Sequence, residues 1–565
     1  MKEISRYGFL EMLTGRVAEN PTKKNPLSLT EPDEPAITPS TSTLTPYTST
    51  LSQAQLLHLI RRSLFGVTPA DYSFFAGKTL NQCLDILLTH TPLPEPPVNV
   101  YNTAETTDPD VQPGKTWVYA AFGDDEFKLN RLRFTSLKAF WIGQMINQER
   151  SLTEKMTLFW SNFIAGQMLL MKDARLSYTY FRALRSAPLG NFKALVREIT
   201  TNPGMLDYLN GNDNTVIAPN ENYSRELQEL FTVGKEPGPH YNEKDVREAA
   251  RVLTGWDTTD TWDSGKPGGV GFAFVHEKHD TGDKQFSAFY DNKVIKGKPG
   301  EQGANETDEL IAMIFTKHEV AKFCCRNVYR WFVSCNITPA IEAGIIGPLA
   351  DILTKNQFEI KPVLRALLGS NHFFDPINIS CQIKNPVDHV IGMCRQLCFT
   401  TDPADLKKEY DDWFSISARL QKDKCGMDPG DPPNVAGWPA YYQAPAYGEI
   451  WINATTLVER NRIADFITNG QFNIADFAKQ LPDPSEPDKL IADSCMFLSA
   501  VPFPPEQITI MKSILLSGKT KDHYWSEAWK KYINHPTDTA AKSVVINRLK
   551  DLYNYIVQRS EYQLT

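Results

Sequence analysis

The sequence predicts a mainly α protein, a multi-helix globular domain with small β-hairpin or irregular excursions. Three observations predict it. Apolar residues recur at helical spacing along most of the chain. Capping boxes of the form Ser/Thr-x-x-Glu/Gln precede several of those runs, and glycine or proline marks many of their boundaries. At 565 residues, 41% hydrophobic, with 11 Trp, 21 Tyr and 30 Phe, the chain carries ample apolar material for a large core.

Taken in order, residues 20–50 are rich in Pro, Ser and Thr without periodicity, so residues 1–50 read as a disordered or extended leader. Ser52-Gln-Ala-Gln55 is a capping box that opens a helix with Leu56, Leu59, Ile60 and Leu64 inward and Gly66 as its stop. Arg61 and Arg62 lie on that helix, and at least one is expected to face solvent or pair with a carboxylate. Thr68-Pro69-Ala70-Asp71 starts the next helix with proline at its first position, and Thr79-Leu-Asn-Gln82 starts a third. Residues 91–115 are a Pro-rich loop. Residues 131–235 read as successive helices, with Ser151-Leu-Thr-Glu154 as another capping box. Asn242 to Trp256 is amphipathic, with Val246, Ala249, Ala250 and Leu253 on one face and Gly255 at its end.

Residues 257–303 then change character. Gly, Asp and Lys are dense, and Gly271-Phe-Ala-Phe-Val275 suggests a small hairpin. Helices resume from Asp308, through 323–332, at 360–368 and at 386–397. Residues 426–451 form a Trp/Pro-rich loop. The organisation predicted is a helical core over 51–465 followed by a C-terminal helical extension, 466–565, carrying Trp525 and Trp529.

Composition excludes some functions. A net charge of −8 without any long Lys/Arg run argues against nucleic acid as a partner. No stretch reaches the 18 or so apolar residues of a transmembrane segment. The first 15 residues lack the apolar centre of a secretory signal, which points to the cytoplasm. The nine cysteines show no zinc-finger spacing, and an odd count argues against a complete disulfide framework. Most are expected to be buried thiols. Walker, Rossmann, Gly-x-Ser-x-Gly, His-Glu-x-x-His and haem-attachment signatures are absent.

The chemistry-bearing residues concentrate in two places. On the segment 218–234, at about 100° per residue, Tyr223, Leu227, Leu230 and Phe231 make an apolar stripe flanked by Asn222, Glu226 and Glu229, with Arg225 beside them and Asn220 just before. Some fifty residues on, Phe274-Val-His-Glu-Lys-His-Asp-Thr-Gly-Asp283 and Lys284 bring together His276, His279, Asp280 and Asp283. These residue types bind divalent metals or act as acid and base. Two readings stay open. Glu226, Glu229, His279 and Asp280 could hold a divalent metal ion as cofactor, or Arg225 and Lys284 could bind an anionic ligand. Trp438 and Trp451 with Asn434 and Asn453 would suit a pocket wall for a sugar or organic ligand. The alternative is that the tryptophans plug helix ends and the asparagines cap backbone groups.

Several stretches closely resemble the bacterial family catalogued as domain of unknown function 1800. They are His58-Leu-Ile-Arg-Arg-Ser-Leu-Phe-Gly66, Ala187-Pro-Leu-Gly-Asn-Phe192, Asn202-Pro-Gly-Met-Leu-Asp-Tyr208, Ala218 to Gly234, Tyr241 to Trp256, His279-Asp280 with Lys284, and Pro433-Asn-Val-Ala-Gly-Trp-Pro439. The resemblance covers about residues 52–465 and implies no particular reaction. Phe159-Trp-Ser-Asn-Phe163 departs from it, because relatives carry Asn-His-Phe there. The resemblance also implies a partner: family genes often neighbour one for a sulfatase-like exported protein. Two functions therefore compete. One is a metal-assisted hydrolase or transferase, or an oxidoreductase. The other is a non-catalytic scaffold or binding subunit, periplasmic if its exported partner carries it across.

Overall fold

The capping boxes at Ser52 and Thr79 both form, each side chain accepting from the third backbone N–H while Gln55 or Gln82 reaches back. They open α1 (Gln53–Ser63) and α3 (Leu80–Leu87). Thr68 caps α2 (Pro69–Phe75) between them. The computed structural model describes residues 42–103, 105–121, 126–235, 240–259, 270–463 and 472–565. Most of the expected leader, residues 1–41, lies outside them. The described part of it runs antiparallel to residues 369–372. Tyr47 donates to Gly369 O at 2.8 Å and receives company from Asn371 N on Thr45 O at 2.9 Å.

Long helices follow: α4 (Glu126–Ile146), α5 (Thr153–Phe163), α6 (Ala174–Ser186), α7 (Phe192–Thr200), the short α8 (Pro203–Tyr208), α9 (Asn222–Glu229) and α10 (Glu243–Val252). Ser151 does not cap α5. Its hydroxyl donates to Thr89 O and accepts from Thr153 N, while Glu154 is spent on the buried guanidinium of Arg185 at 2.7 Å. A buried carboxylate with a buried arginine in reach pairs with it before it caps a backbone N–H.

The irregular excursion contains two antiparallel hairpins, β1 (Trp256–Thr259) with β2 (Gly271–Phe274) and β3 (Lys284–Gln285) with β4 (Val294–Ile295). The rest of the chain is helical: α11 (Asn305–Ile314), α12 (His318–Phe332), then helical turns over 339–346 leading into α13 (Gly347–Lys355), α14 (Ile360–Leu368), α15 (Pro386–Gln396), α16 (Leu406–Leu420), α17 (Ala454–Arg462), α18 (Ile474–Lys479), α19 (Pro487–Leu498), α20 (Pro505–Leu515), α21 (His523–Asn534) and α22 (Thr539–Val557). The fold is mainly α, with sheet confined to the two small hairpins among the described residues.

One hydrophobic core runs from Leu56 to Tyr562. The C-terminal helices share it. Arg61 donates to the Met496 and Ser499 carbonyls, Gln382 N–H and Thr565 N–H each reach the other residue's carbonyl, and Arg460 donates to Gln563 Oε1 at 2.7 Å. Among the described residues the two arginines of α1 form no ion pair with a carboxylate. Arg62 is buried and donates to Val333 O at 2.7 Å and Gln382 Oε1 at 2.6 Å. Backbone carbonyls at helix ends need donors, and these guanidiniums satisfy them.

The Pro-rich loop before α4 is held by a fully buried ion pair, Asp108 with Arg133 at 2.8 Å, and Tyr101 donates to the same carboxylate. Asp108→Ala removes the carboxylate that is paired with the buried Arg133 guanidinium. We expect it to cost about 3–5 kcal/mol in urea unfolding. A loss under about 1 kcal/mol would show that this loop is not anchored as described.

Candidate functional site

The two groups of candidate residues are held at opposite ends of α10. At its start, Arg225 makes a two-pronged bond to Glu243, 2.8 Å for each oxygen, and a third contact to Glu221 at 3.1 Å. Glu229 pairs with Lys235 and accepts from Tyr241 at 3.4 Å. Glu226 is half-buried, and burial first, then the neighbouring Glu229, pushes its carboxyl up to about 6. Asn220 shapes the entry to α9: its Oδ1 accepts from Asn222 N at 3.0 Å, and its own N–H donates to Asn214 Oδ1. Asn222 is exposed on the first turn.

At the far end, Asp280 takes both prongs of Arg251, at 2.7 and 3.1 Å, and caps Gly282 N. Burial alone would raise its carboxyl, but Arg251 and the Gly282 N–H hold it below the usual aspartate value. His279 is buried. Its Nδ1 lies 2.8 Å from Thr254 O and its Nε2 3.2 Å from Glu306 Oε1. Both ring nitrogens face oxygens of the chain, Nδ1 those of Thr254 and Nε2 that of Glu306. Lys284, fully buried, donates to Asp280 O and to Glu306 Oε2 at 2.5 Å. Lys298 N donates to Glu306 Oε1 at 2.7 Å. The neighbours His276 and Asp283 are exposed and pair with Glu301 and Lys296.

The structure thus joins His279, Asp280 and Lys284 to one another through Glu306 and Arg251, and separates them from Glu226 and Glu229. Tyr241, against Glu229, precedes α10, and Thr254, against His279, follows it. Ten helical residues lie between, about 15 Å. Liganding distances of about 2.0–2.2 Å cannot span that gap. The expected set Glu226, Glu229, His279 and Asp280 is not one coordination sphere. Among the described residues, no group of three or more His, Cys, Asp or Glu side chains is placed to hold a metal ion.

The Trp/Pro-rich loop is core and scaffold. Trp438 and Trp451 are 1% and 5% exposed, so they fill the interior rather than line an open pocket. Trp438 N donates to Asn162 Oδ1 at 2.9 Å. Gly437, at φ 86°, lets that backbone approach: a Cβ there would sit 2.4 Å from Asn162 O. Asn453 caps α17 through Thr455 N and Thr456 N, and Asn434 accepts from Ala436 N and donates to Tyr442.

Spacing did not reveal three features. Glu306 shares the first turn of α11 with Asp308, and no spacing in the sequence marks it as the partner of His279 and Lys284. Lys138 is buried between Asp428 at 2.7 Å, Pro429 O at 2.6 Å and Asp431, although nearly three hundred residues separate the partners. Leu169 and Leu170 are 61% and 60% exposed on a helical turn between buried Met168 and Met171. Met168 N donates to Gly430 O at 2.9 Å and Leu169 N to Asp431 Oδ1 at 2.7 Å, so the loop fixes that turn. Tyr208, at the end of α8, donates to Gln167 at 2.9 Å, and burial first, then the charges of Glu226 and Asp431, pushes its hydroxyl up to about 12.

The Glu306 cluster gives a direct test. Burial pulls its carboxyl up, but His279 and Lys284 outweigh that and hold it below the usual glutamate value. A depressed carboxyl contributes stability above its unfolded pKa of about 4.3 and loses it as pH falls through the folded value. Glu306→Gln should lower stability by about 3 kcal/mol at pH 7, and the gap should close below about pH 4. A gap that is absent, or constant with pH, would contradict this arrangement.

A family model described as "Protein of unknown function (DUF1800)" matches residues 58–564, extending past the motif-based limit of 465 to nearly the last residue. No curated protein and no solved structure matches the chain.

Proposed function

We propose, for a chain that belongs to the DUF1800 family, a non-catalytic binding role in which the Leu169–Leu170 turn is the contact surface. The observation that carries this is the exposure of two adjacent leucines on a rigidly braced backbone. A leucine pair held in water by Gly430 and Asp431 loses little entropy when a partner covers it, which is how a preformed hot spot gains affinity. The acidic helix beside it, with Glu226 and Glu229, supplies a polar rim, so the partner should offer an apolar pocket edged by Lys or Arg. The partner class we propose is the one the family resemblance implies, a sulfatase-like exported protein that would carry this chain to the periplasm. The engagement of Arg225, His279, Asp280 and Lys284 in bonds within the chain supports the same reading.

A second reading rests on Glu226. A half-buried carboxyl held near 6 beside a second carboxylate suits a general acid, so a hydrolase or transferase would centre there rather than on His279. No helix among the described residues is long and apolar enough to cross a membrane, so neither reading needs a span.

Co-expression of this chain with the sulfatase-like neighbour, followed by size-exclusion chromatography, separates the readings. The wild type should co-elute with the partner. The Leu169→Ser/Leu170→Ser variant should elute alone with an unchanged circular dichroism spectrum, because exposed leucines contribute little to the fold. Co-elution of the double variant would refute the contact surface. Loss of co-elution in Glu226→Gln alone would move the site to the acidic helix.

A further inference from the structure

Where α1 and the last residues of the chain meet α15, one small cavity is lined by Arg61, Gly66, Lys384, Asp388, Gln396 and Thr565. Its wall is rich in positive charge. Lys384 is 6% exposed, and its ammonium stands 3.6 Å from the centre of the Tyr562 ring, with no hydrogen-bond acceptor among the described residues. Arg61 spends its Nη2 on the Met496 and Ser499 carbonyls. Two more buried guanidiniums stand just behind. Arg460 donates through Nη2 to the Lys384 carbonyl at 3.0 Å, and its Nη1 has no acceptor among the described residues. Arg62 holds Gln382, whose backbone pairs with that of Thr565. None of these four cations forms an ion pair with a carboxylate of the described residues. Asp388, the carboxylate in the wall, has both oxygens engaged, Oδ1 by the Lys155 ammonium and Oδ2 by Asn385 Nδ2 at 2.9 Å.

Buried positive charge without a counter-charge is costly, and a guanidinium does not escape by losing its proton. Burial first, then Arg61 and Arg460, pushes the Lys384 ammonium well below the ordinary lysine value, while Asp388 pulls it up. A water in the cavity would serve Lys384, and also Gln396 Oε1, which has no donor among the described residues, but it would leave the charge as it is. Size then decides which anion fits. About 10 Å³ is open to the centre of a water-sized sphere. By that measure about 10–15 Å³ holds one water, so phosphate and sulfate are too large and a single-atom ion is not.

We propose that this cavity is a binding site for one halide ion, chloride in ordinary solution, held by the Lys384 ammonium and the Arg61 guanidinium. The ion supplies the negative charge that the four cations lack within the chain. It ties α1 to the residue before α15 and to the C-terminal segment, so its binding stabilises the folded chain by mass action.

The test is thermal unfolding of the full-length chain as chloride replaces gluconate at constant ionic strength, gluconate being too large for the cavity. The midpoint should rise with chloride and level off once the site is filled, by about 2 °C. Lys384→Met keeps the length of the side chain and removes the ammonium, and it should unfold at the same temperature in both salts. If Lys384→Met does not fold, crystals of the wild type soaked in bromide replace it, with an anomalous peak expected in the cavity beside Lys384 Nζ. Equal midpoints for the wild type in the two salts would show that the chain's own groups balance the cavity, and would overturn the proposal. A chloride effect that persists in Lys384→Met, or bromide found at the surface and not in the cavity, would overturn it as well.

Discussion

The region around the acidic helix depends on one buried carboxylate. Glu306 takes the Lys284 ammonium, faces the His279 ring and accepts from Lys298 N, all with almost no access to water. Next to it, Thr307 accepts from Trp256 Nε1 at 2.9 Å. Two neighbouring side chains at the start of α11 therefore hold both ends of the irregular excursion. A buried ammonium without this partner would carry a penalty of several kcal/mol, so His279 and Lys284 take their places from Glu306. The close approach of Gly303, where a Cβ would lie 2.6 Å from His279 Cδ2, leaves the ring no room to swing out.

That constraint decides how the polar residues can serve function. An imidazole with oxygens of the chain at both nitrogens, an aspartate clamped by Arg251 and a lysine in a buried ion pair are committed to the fold. The same holds for Lys138 between Asp428 and Asp431, whose bonds brace the turn that carries Leu169 and Leu170. Leu169 and Leu170 are apolar and exposed, and Glu226 is half-buried; the proposed docking role rests on them.

Local signals made most of the fold legible. Capping boxes, proline at first helical positions and 3.6-residue periodicity report interactions within a turn or two, so Ser52, Thr68, Thr79 and Asn242 were read correctly as helix starts. Ser151 failed because Arg185, distant in sequence, competes for Glu154. The site was legible only as two groups. A helix row and a loop motif each carry their own pattern, but their separation is set by α10 lying between them and by Glu306, which no spacing announces. The tryptophans of the 426–451 loop were ambiguous for a related reason: wall and core use the same residue, and only burial tells them apart.

The most direct test of this separation is a double-mutant cycle between Glu229 and His279, read as unfolding free energy. If the two residues belong to independent clusters at opposite ends of α10, the effects of Glu229→Ala and His279→Ala should add to within about 0.5 kcal/mol. A coupling energy above about 1 kcal/mol would contradict the account, because it would place both residues in one shared site.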